Sequence, residues 1–473
     1  MATIVMKFGG SLLASRGGIT RAADLALSRK KAAKVIVVVS ALGDVTDILL
    51  KAATRCRSWK EREIQRAVDE LRSIHRAAIE QSSFLAEEKA EVGRNLESTL
   101  EKLRETLLGI SILGELSPRS RDLVASFGER MSAPIMSAVI RSRGVASTSL
   151  TGGEAGIVTD SNFGEASPDR SATAVGVRRR LLPLMERGGV PVVAGFVARS
   201  KEGEITTLGR GGSDYTATLL ASAMDADEVW IWTDVDGILT ADPRVVKSPS
   251  PVSQLSYAEA EELAFFGAKN MHPLALGPAR VGEIPVWIKN GFRPDLPGTL
   301  ITKEQTKLHG VVKVIAVVKN VGLLTVAGET LQGRPGIAAE VFSALASDRV
   351  NILMISQSVS EANISLIVRR ASLRHAETIL RHRLKGQDIQ VVGDPGVSVV
   401  AAVGAGMRGE QGVAARVFSA VASRGINVRM IAQGSSELNI SFVVDERNAD
   451  EAVRALHTLV TNPPGGKAGS KRK

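Results

Sequence analysis

Only one of the 473 residues is a cysteine, Cys56, so no disulfide can form within the chain and packing alone must hold it together. A reducing compartment, the cytoplasm, suits such a protein. Aromatic residues are nearly as scarce, at 4% of the chain with only two tyrosines, which leaves no evident stacking platform for nucleic-acid bases. No run of about 18 uncharged apolar residues occurs, and the apolar run at the N-terminus is too short for the core of a signal peptide. Neither a membrane span nor an export signal is therefore expected. The six histidines, at 75, 272, 309, 375, 382 and 457, show no zinc-ligand spacing with cysteine or with one another. No metal held by a dedicated set of protein side chains is expected. The P-loop pattern G-x-x-x-x-G-K-[ST] is also missing.

The net charge of +10 invites a nucleic-acid reading, but its distribution argues otherwise. Lys467, Lys471, Arg472 and Lys473 crowd the last seven residues, behind a Pro-Pro-Gly-Gly break. Residues 462–473 read as a disordered basic tail. Arg178 to Arg180 fall on an apparent surface helix, where solvated charge is the ordinary outcome.

A chain of this length is too long for one core, and two or three domains are expected. From Met1 to about Leu300, short β-branched runs such as Val35 to Val39, Val190 to Phe196, Glu228 to Trp232 and Val286 to Ile288 alternate with helical patterns. The alternation predicts an α/β fold with an open, mostly parallel sheet and helices on both faces over residues 1–303. A charged stretch with apolar residues at Ile64, Val68, Leu71 and Ile74 predicts a helical insertion over about 57–110.

After Lys303 the chain repeats itself at an offset of 76 residues. Asn351-Ile-Leu-Met-Ile-Ser-Gln357 matches Asn427-Val-Arg-Met-Ile-Ala-Gln433, and Gly336-Ile-Ala-Ala-Glu-Val-Phe342 matches Gly412-Val-Ala-Ala-Arg-Val-Phe418. Each copy reads as a ferredoxin-like β-α-β-β-α unit, over 304–390 and 391–461. An edge strand in each copy could pair with another subunit, so a homodimer or higher homo-oligomer is expected.

The most informative stretch is Gly209-Arg-Gly-Gly-Ser-Asp214, followed at once by a helical pattern from Tyr215. Glycines would bring backbone N–H groups and a helix start to an anion, and Arg210 could grip a carboxylate or phosphate through two parallel hydrogen bonds. A tight turn whose Ser213 and Asp214 merely cap the helix is the alternative. A second glycine element, Lys7-Phe-Gly-Gly-Ser11, follows the apolar run Ile4 to Met6 and looks like a strand entering a phosphate loop. A lysine at a strand's carboxyl end can reach phosphate oxygens. Thr233 and Asp234 end another apolar strand, where nucleotides bind in open α/β sheets, although Asp234 alone could cap a turn.

These elements stand in order with Thr151-Gly-Gly-Glu-Ala-Gly156, Trp230-Ile-Trp-Thr-Asp234, Asp242-Pro-Arg244 and Phe266-Gly-Ala-Lys269. Together they resemble the aspartokinases from about residue 2 to 460. The resemblance implies transfer of the γ-phosphate of ATP, with Mg²⁺, to the β-carboxylate of L-aspartate, and it makes the repeat a tandem of ACT modules that bind a regulatory amino acid, threonine or lysine. It places Lys7, Gly9, Gly10, Ser11, Thr233, Asp234, Leu239, Arg244 and Lys269 at the nucleotide. At aspartate it places Thr46, Glu129, Phe196, Arg210 and Ser213, with Arg210 on the α-carboxylate. Asp214 either orients Lys7 or holds the substrate ammonium, and the sequence leaves both open. Two positions depart from the family pattern: Leu12 follows Ser11 where Ser or Thr is usual, and Leu239 stands where many members carry Tyr. No homoserine dehydrogenase segment follows the repeat, which suggests a monofunctional enzyme. The rival expectations are another amino-acid kinase, acting on glutamate or acetylglutamate, and a non-catalytic amino-acid sensor.

Overall fold

A computed structural model describes residues 1–266, 273–304, 311–331, 333, 335–360 and 363–461. Lys269 and the basic tail lie outside them. Contacts group the chain into two units. One comprises Met1–Ile238, Ser253–Tyr257 and the described part of 270–304; the other comprises Leu239–Val252 and the described parts of 258–269 and 305–473.

The first unit is built on an eight-stranded sheet. Its spatial order is Ser147–Thr151, Val190–Ala194, Ala33–Val39, Ala2–Phe8, Glu228–Thr233, Val286–Asn290, Thr299–Thr302 and Gln254–Ser256. The first six strands are parallel, and Thr299–Thr302 turns antiparallel to its neighbour. Val35 to Val39 and Val190 to Ala194 are buried at every position, which is why they read as unbroken apolar runs: helices cover both faces of a parallel sheet. The chain leaves Ala2–Phe8 toward one side of the sheet and returns on the other at Glu228–Thr233. This reversal opens the crevice at the strands' carboxyl ends where ligands bind in such sheets.

Two helices, Glu61–Glu80 and Ala86–Leu113, fill the charged stretch. Ile64, Val68 and Leu71 on one, and Val92, Leu96, Leu100, Leu103, Leu107 and Ile110 on the other, recur every three to four residues and join the core that also takes in helix Pro118–Arg141. Each such side chain, fully buried, contributes about 2 kcal/mol. The long helix stops at Gly114, whose φ of 66° supplies the left-handed residue that commonly ends a helix.

The second unit carries a six-stranded antiparallel sheet in the order Ile352–Gln357, Asn363–Arg369, Val314–Ala327, Gln390–Val403, Asn439–Asp445 and Met430–Ala432. The two central strands are 14 residues each. Leu324, Val326 and Val391 pack with helices Ile337–Ser347 and Arg370–Arg383 in one core. Ile315, Val400 and Ala402 pack with helices Val413–Ala422 and Ala449–Thr461 in the other. Both central strands thus contribute to both cores. The repeat is visible in the backbone as well, because Gly336 and Gly412, 76 residues apart, each open a helix from the left-handed region, at φ 89° and 78°.

Leu239–Val252 joins this unit through Ala241, Val245 and Val246, which pack into the second core, and through a 2.8 Å bond from the Ile315 N–H to the Thr240 carbonyl. Thr240 Oγ1 meets His457 Nε2 at 2.9 Å. Glu259, fully buried, pairs with Lys313 at 3.0 Å and accepts the Ala405 N–H at 2.6 Å.

Candidate active site

Lys7 sits on the central strand, in register with Val38 and Ile231 on its two neighbours. Directly after it the Gly9 N–H donates to the Trp232 carbonyl at 3.0 Å, and the Gly43 N–H donates to the Gly10 carbonyl at 3.0 Å. This stitches the first turn to the loop after the second strand. A Cβ at Gly10 would fall 2.5 Å from the Ala41 carbonyl oxygen, and one at Gly9 would lie 3.3 Å from the Trp232 carbonyl oxygen and 3.8 Å from Lys7 Nζ. Position 10 therefore accepts only glycine, and the bare backbone of Gly9 lies beneath the lysine ammonium. Ser11 is exposed on the short helix Gly10–Ala14, while Leu12 is buried, which accounts for its apolar character.

The Gly-rich turn comes up beside it. Gly209 and Gly211 take left-handed φ values of 72° and 73°, and Gly211 opens helix Gly212–Ala223. A Cβ at Gly195 would meet Ser213 Cβ at 2.7 Å, and one at Gly212 would meet the Phe196 ring at 2.7 Å. Phe196 is itself left-handed, at φ 66°, a conformation costing a non-glycine residue on the order of 1–3 kcal/mol. The Phe196 N–H bond to Thr216 Oγ1 and the Leu208 N–H bond to the Phe196 carbonyl, both 3.0 Å, hold it there. Asp214, in the helix's first turn, faces Lys7 with Oδ1 2.6 Å from Nζ, and the two side chains are only 10% and 11% exposed. Ser213 is buried next to it.

Glu129 lies on helix Pro118–Arg141 and is 3% exposed. Burial drives its carboxyl up to about 8, against the opposing pull of the Ala41 N–H and the Lys7 charge, and Oε2 has no hydrogen-bond partner among the described residues. A buried carboxyl oxygen left without a partner among the described residues could be met by a donor that a ligand brings. Ser132, one turn on, donates to the Ser40 carbonyl at 2.8 Å and ties this helix to the loop that leads through Asp44 to half-buried Thr46.

Arg210 is exposed and makes no ion pair or hydrogen bond among the described residues. Thr233 ends the strand next to Lys7's and Asp234 follows it, and Thr233 Oγ1 donates to Asp234 at 3.1 Å. Leu239 and Arg244 fall in the second unit. There Arg244, 71% exposed, folds back on Asp242 through Nε at 3.0 Å and Nη2 at 2.5 Å.

Two structural roles escaped sequence reasoning. The Thr151-Gly-Gly-Glu-Ala-Gly156 motif serves packing: a Cβ at Gly152 would lie 2.0 Å from the Val197 carbonyl oxygen, and one at Gly156 would lie 2.3 Å from the Gly176 backbone. Asp122 is buried beneath the Gly-rich turn and takes three hydrogen bonds. Its place one residue before an apolar run, Leu123 to Ala125, gave no signal of that.

A native Glu129 that keeps its proton to about pH 8, against 4.5 for an ordinary glutamate, makes stability pH-dependent. Its contribution is complete below the ordinary value and is lost as pH rises through the native one. Glu129→Gln should therefore melt higher than the parent protein at about pH 8–9 and nearly level with it at about pH 5. Calorimetry across that range checks this, and parallel melting curves for the two proteins would refute the burial argument.

The amino acid kinase family matches residues 2–290, and the ACT domain family matches 324–384 and 400–459. Aspartokinase 1 of Arabidopsis thaliana, a chloroplast protein, is 37% identical over 469 residues, which is 96% of this chain and 79% of that protein. The chain belongs to the aspartokinase family. Aspartokinase III of E. coli, solved with aspartate and ADP in its R-state, shares 31% identity and a TM-score of 0.83 over 97% of this chain and 99% of that one. The same aspartokinase, solved with lysine and aspartate in its T-state, shares 32% identity with a TM-score of 0.78 over the same shares. The duplicated C-terminal unit of this family member is accordingly a pair of ACT domains. Among the described residues no helix is long and apolar enough to cross a membrane.

Proposed function

We propose that this chain is an aspartate kinase, phosphorylating the β-carboxylate of L-aspartate to 4-phospho-L-aspartate at the start of lysine, threonine and methionine synthesis. The observation that carries the reading is the Lys7–Asp214 pair above a glycine backbone, next to a buried carboxyl with an open oxygen. The E. coli relative's complex with aspartate and ADP supports it.

When bound, Mg-ATP supplies the γ-phosphoryl group, whose phosphorus gains a bond to the aspartate β-oxygen as its bond to the ADP oxygen breaks. The nucleophile has a reference pKa near 3.9 and is already ionised at neutral pH, so the site needs no general base. Its problem is repulsion between two anions, and its residues are chosen for that. Lys7 places an ammonium where negative charge gathers, and Asp214 at 2.6 Å holds that ammonium in position. Gly10 and Ser11 offer N–H and hydroxyl donors to phosphate, while Gly9, whose N–H is committed to Trp232, offers room. Thr233 and Asp234 complete this unit's nucleotide contacts in this reading, with Mg²⁺ carried largely by the phosphates. Arg210 and Ser213 take the α-carboxylate of aspartate, Glu129 its ammonium, and Thr46 and Phe196 line the pocket.

An amino-acid effector, lysine or threonine, acting at the ACT domains completes the proposal, and the lysine complex of the E. coli relative supports it. A homodimer is favoured by the outermost strands of the six-stranded sheet. They expose Ile355 and Ile431, equivalent positions 76 residues apart, at 46% and 47%. The cytoplasm is the proposed location, in keeping with a single buried thiol, Cys56.

The test is hydroxylamine trapping of the acyl phosphate with Mg-ATP and each acidic amino acid. Hydroxamate is expected from aspartate. Hydroxamate from glutamate or acetylglutamate and none from aspartate would overturn the substrate, and none from any would leave a sensor.

A further inference from the structure

We propose that Asp122 is a positioning residue for aspartate binding, fixing from below the turn that carries Arg210. The proposal rests on the reading of Arg210 as the carboxylate clamp.

Asp122 is 2% exposed, near the start of helix Pro118–Arg141. Its Oδ2 accepts the Thr207 N–H at 2.8 Å and the Gly164 N–H at 3.0 Å, and its Oδ1 accepts the Thr207 hydroxyl at 2.9 Å. Burial raises its pKa while these donors lower it, and no salt bridge closes on it among the described residues. One carboxylate thus satisfies three donors from two separate segments, a geometry that rotation of either segment would break.

Both segments bear on the clamp. Thr207 ends strand Ile205–Thr207, three residues before Arg210, and its carbonyl accepts the Ala166 N–H at 3.0 Å. The segment containing Gly164 and Glu165 forms the wall of the turn: a Cβ at Gly209 would lie 3.3 Å from Glu165 Cγ and 3.4 Å from the Gly164 carbonyl oxygen. Asp122 therefore pins the stem of the turn and the wall beside it at once. Glu129 lies seven residues further along the same helix, about two turns on and so on the same face. A single helix carries both the group proposed for the substrate ammonium and the group that sets where its α-carboxylate is held. The distance between those two features of aspartate is fixed, so a rigid element spanning their binding sites suits the task.

Three variants test this in the hydroxamate assay. Asp122→Ala leaves three buried donors unmet and should raise the aspartate KM about tenfold or more, with the ATP KM within about twofold of the parent value. Asp122→Asn can accept both N–H groups on its amide oxygen and donate its NH₂ to the Thr207 oxygen, so it should restore most of the affinity. Thr207→Val removes one bond and should raise the aspartate KM roughly threefold, which gives a readout if the alanine variant does not fold. An unchanged aspartate KM in a folded Asp122→Ala or Thr207→Val protein overturns the proposal. So does a parallel rise in both KM values, the mark of a general loss of structure. The parent protein is assayed alongside: if it forms no hydroxamate from aspartate, the functional reading fails instead, and the two failures stay distinct.

Discussion

Lys7→Ala should lower kcat by roughly 10³- to 10⁵-fold, the range seen when a cation that stabilises a transferring phosphoryl group is removed. The reason is the geometry of one strand end. Lys7 is 11% exposed and its ammonium is held 2.6 Å from Asp214, so it arrives already desolvated and aimed, and little reorganisation is needed when charge develops nearby. Loss of the lysine also strands Asp214 and removes a positive charge that favours the ionised form of Glu129. An uncompensated buried charge can cost about 3–5 kcal/mol. Thermal melts must therefore accompany the kinetics, and Lys7→Ala combined with Asp214→Asn should recover stability without recovering turnover. Turnover near the parent value in a folded Lys7→Ala protein would show that the phosphate is stabilised by something else.

For Arg210→Ala the expected change lies in binding. An exposed guanidinium that grips a carboxylate through charge-assisted bonds contributes about 1.5–3 kcal/mol, so the aspartate KM should rise roughly 10- to 150-fold. Ground state and transition state share that carboxylate, so kcat should move far less. Because Arg210 is exposed and has no partner among the described residues, the melting temperature should stay within the small range of surface substitutions. The contrast with Lys7 is the informative part. One variant loses rate and strains the fold, and the other loses affinity and leaves the fold alone. A normal aspartate KM in Arg210→Ala would remove the clamp from the reading.

The alternation of apolar runs and helical patterns was enough to read the parallel sheet, because strands buried on both faces cannot disguise themselves with polar residues. The duplicated unit was equally open to inspection, since two copies of one packing problem kept the same glycines at 336 and 412. At the site, Lys7, Gly10 and Asp214 stand in glycine-bearing motifs legible in the sequence, and the structure brings Lys7 and Asp214 to 2.6 Å of each other. What stayed hidden depends on distant neighbours. Asp122 reaches Thr207 across 85 positions. Phe196 takes a left-handed backbone with Gly212 packed close against its ring. The grouping of Leu239 and Arg244 with the regulatory unit follows from Ala241, Val245 and Val246 packing among residues about 65 or more positions away. Local pattern carries no record of such encounters.

The two long central strands of the antiparallel sheet, Val314–Ala327 and Gln390–Val403, lend one half to each ACT core. The ladder between them breaks register between Val318 and Leu323, so the two halves share their strands across an irregularity. Neither half is therefore a free-standing domain: each core is finished by strand residues that continue into the other.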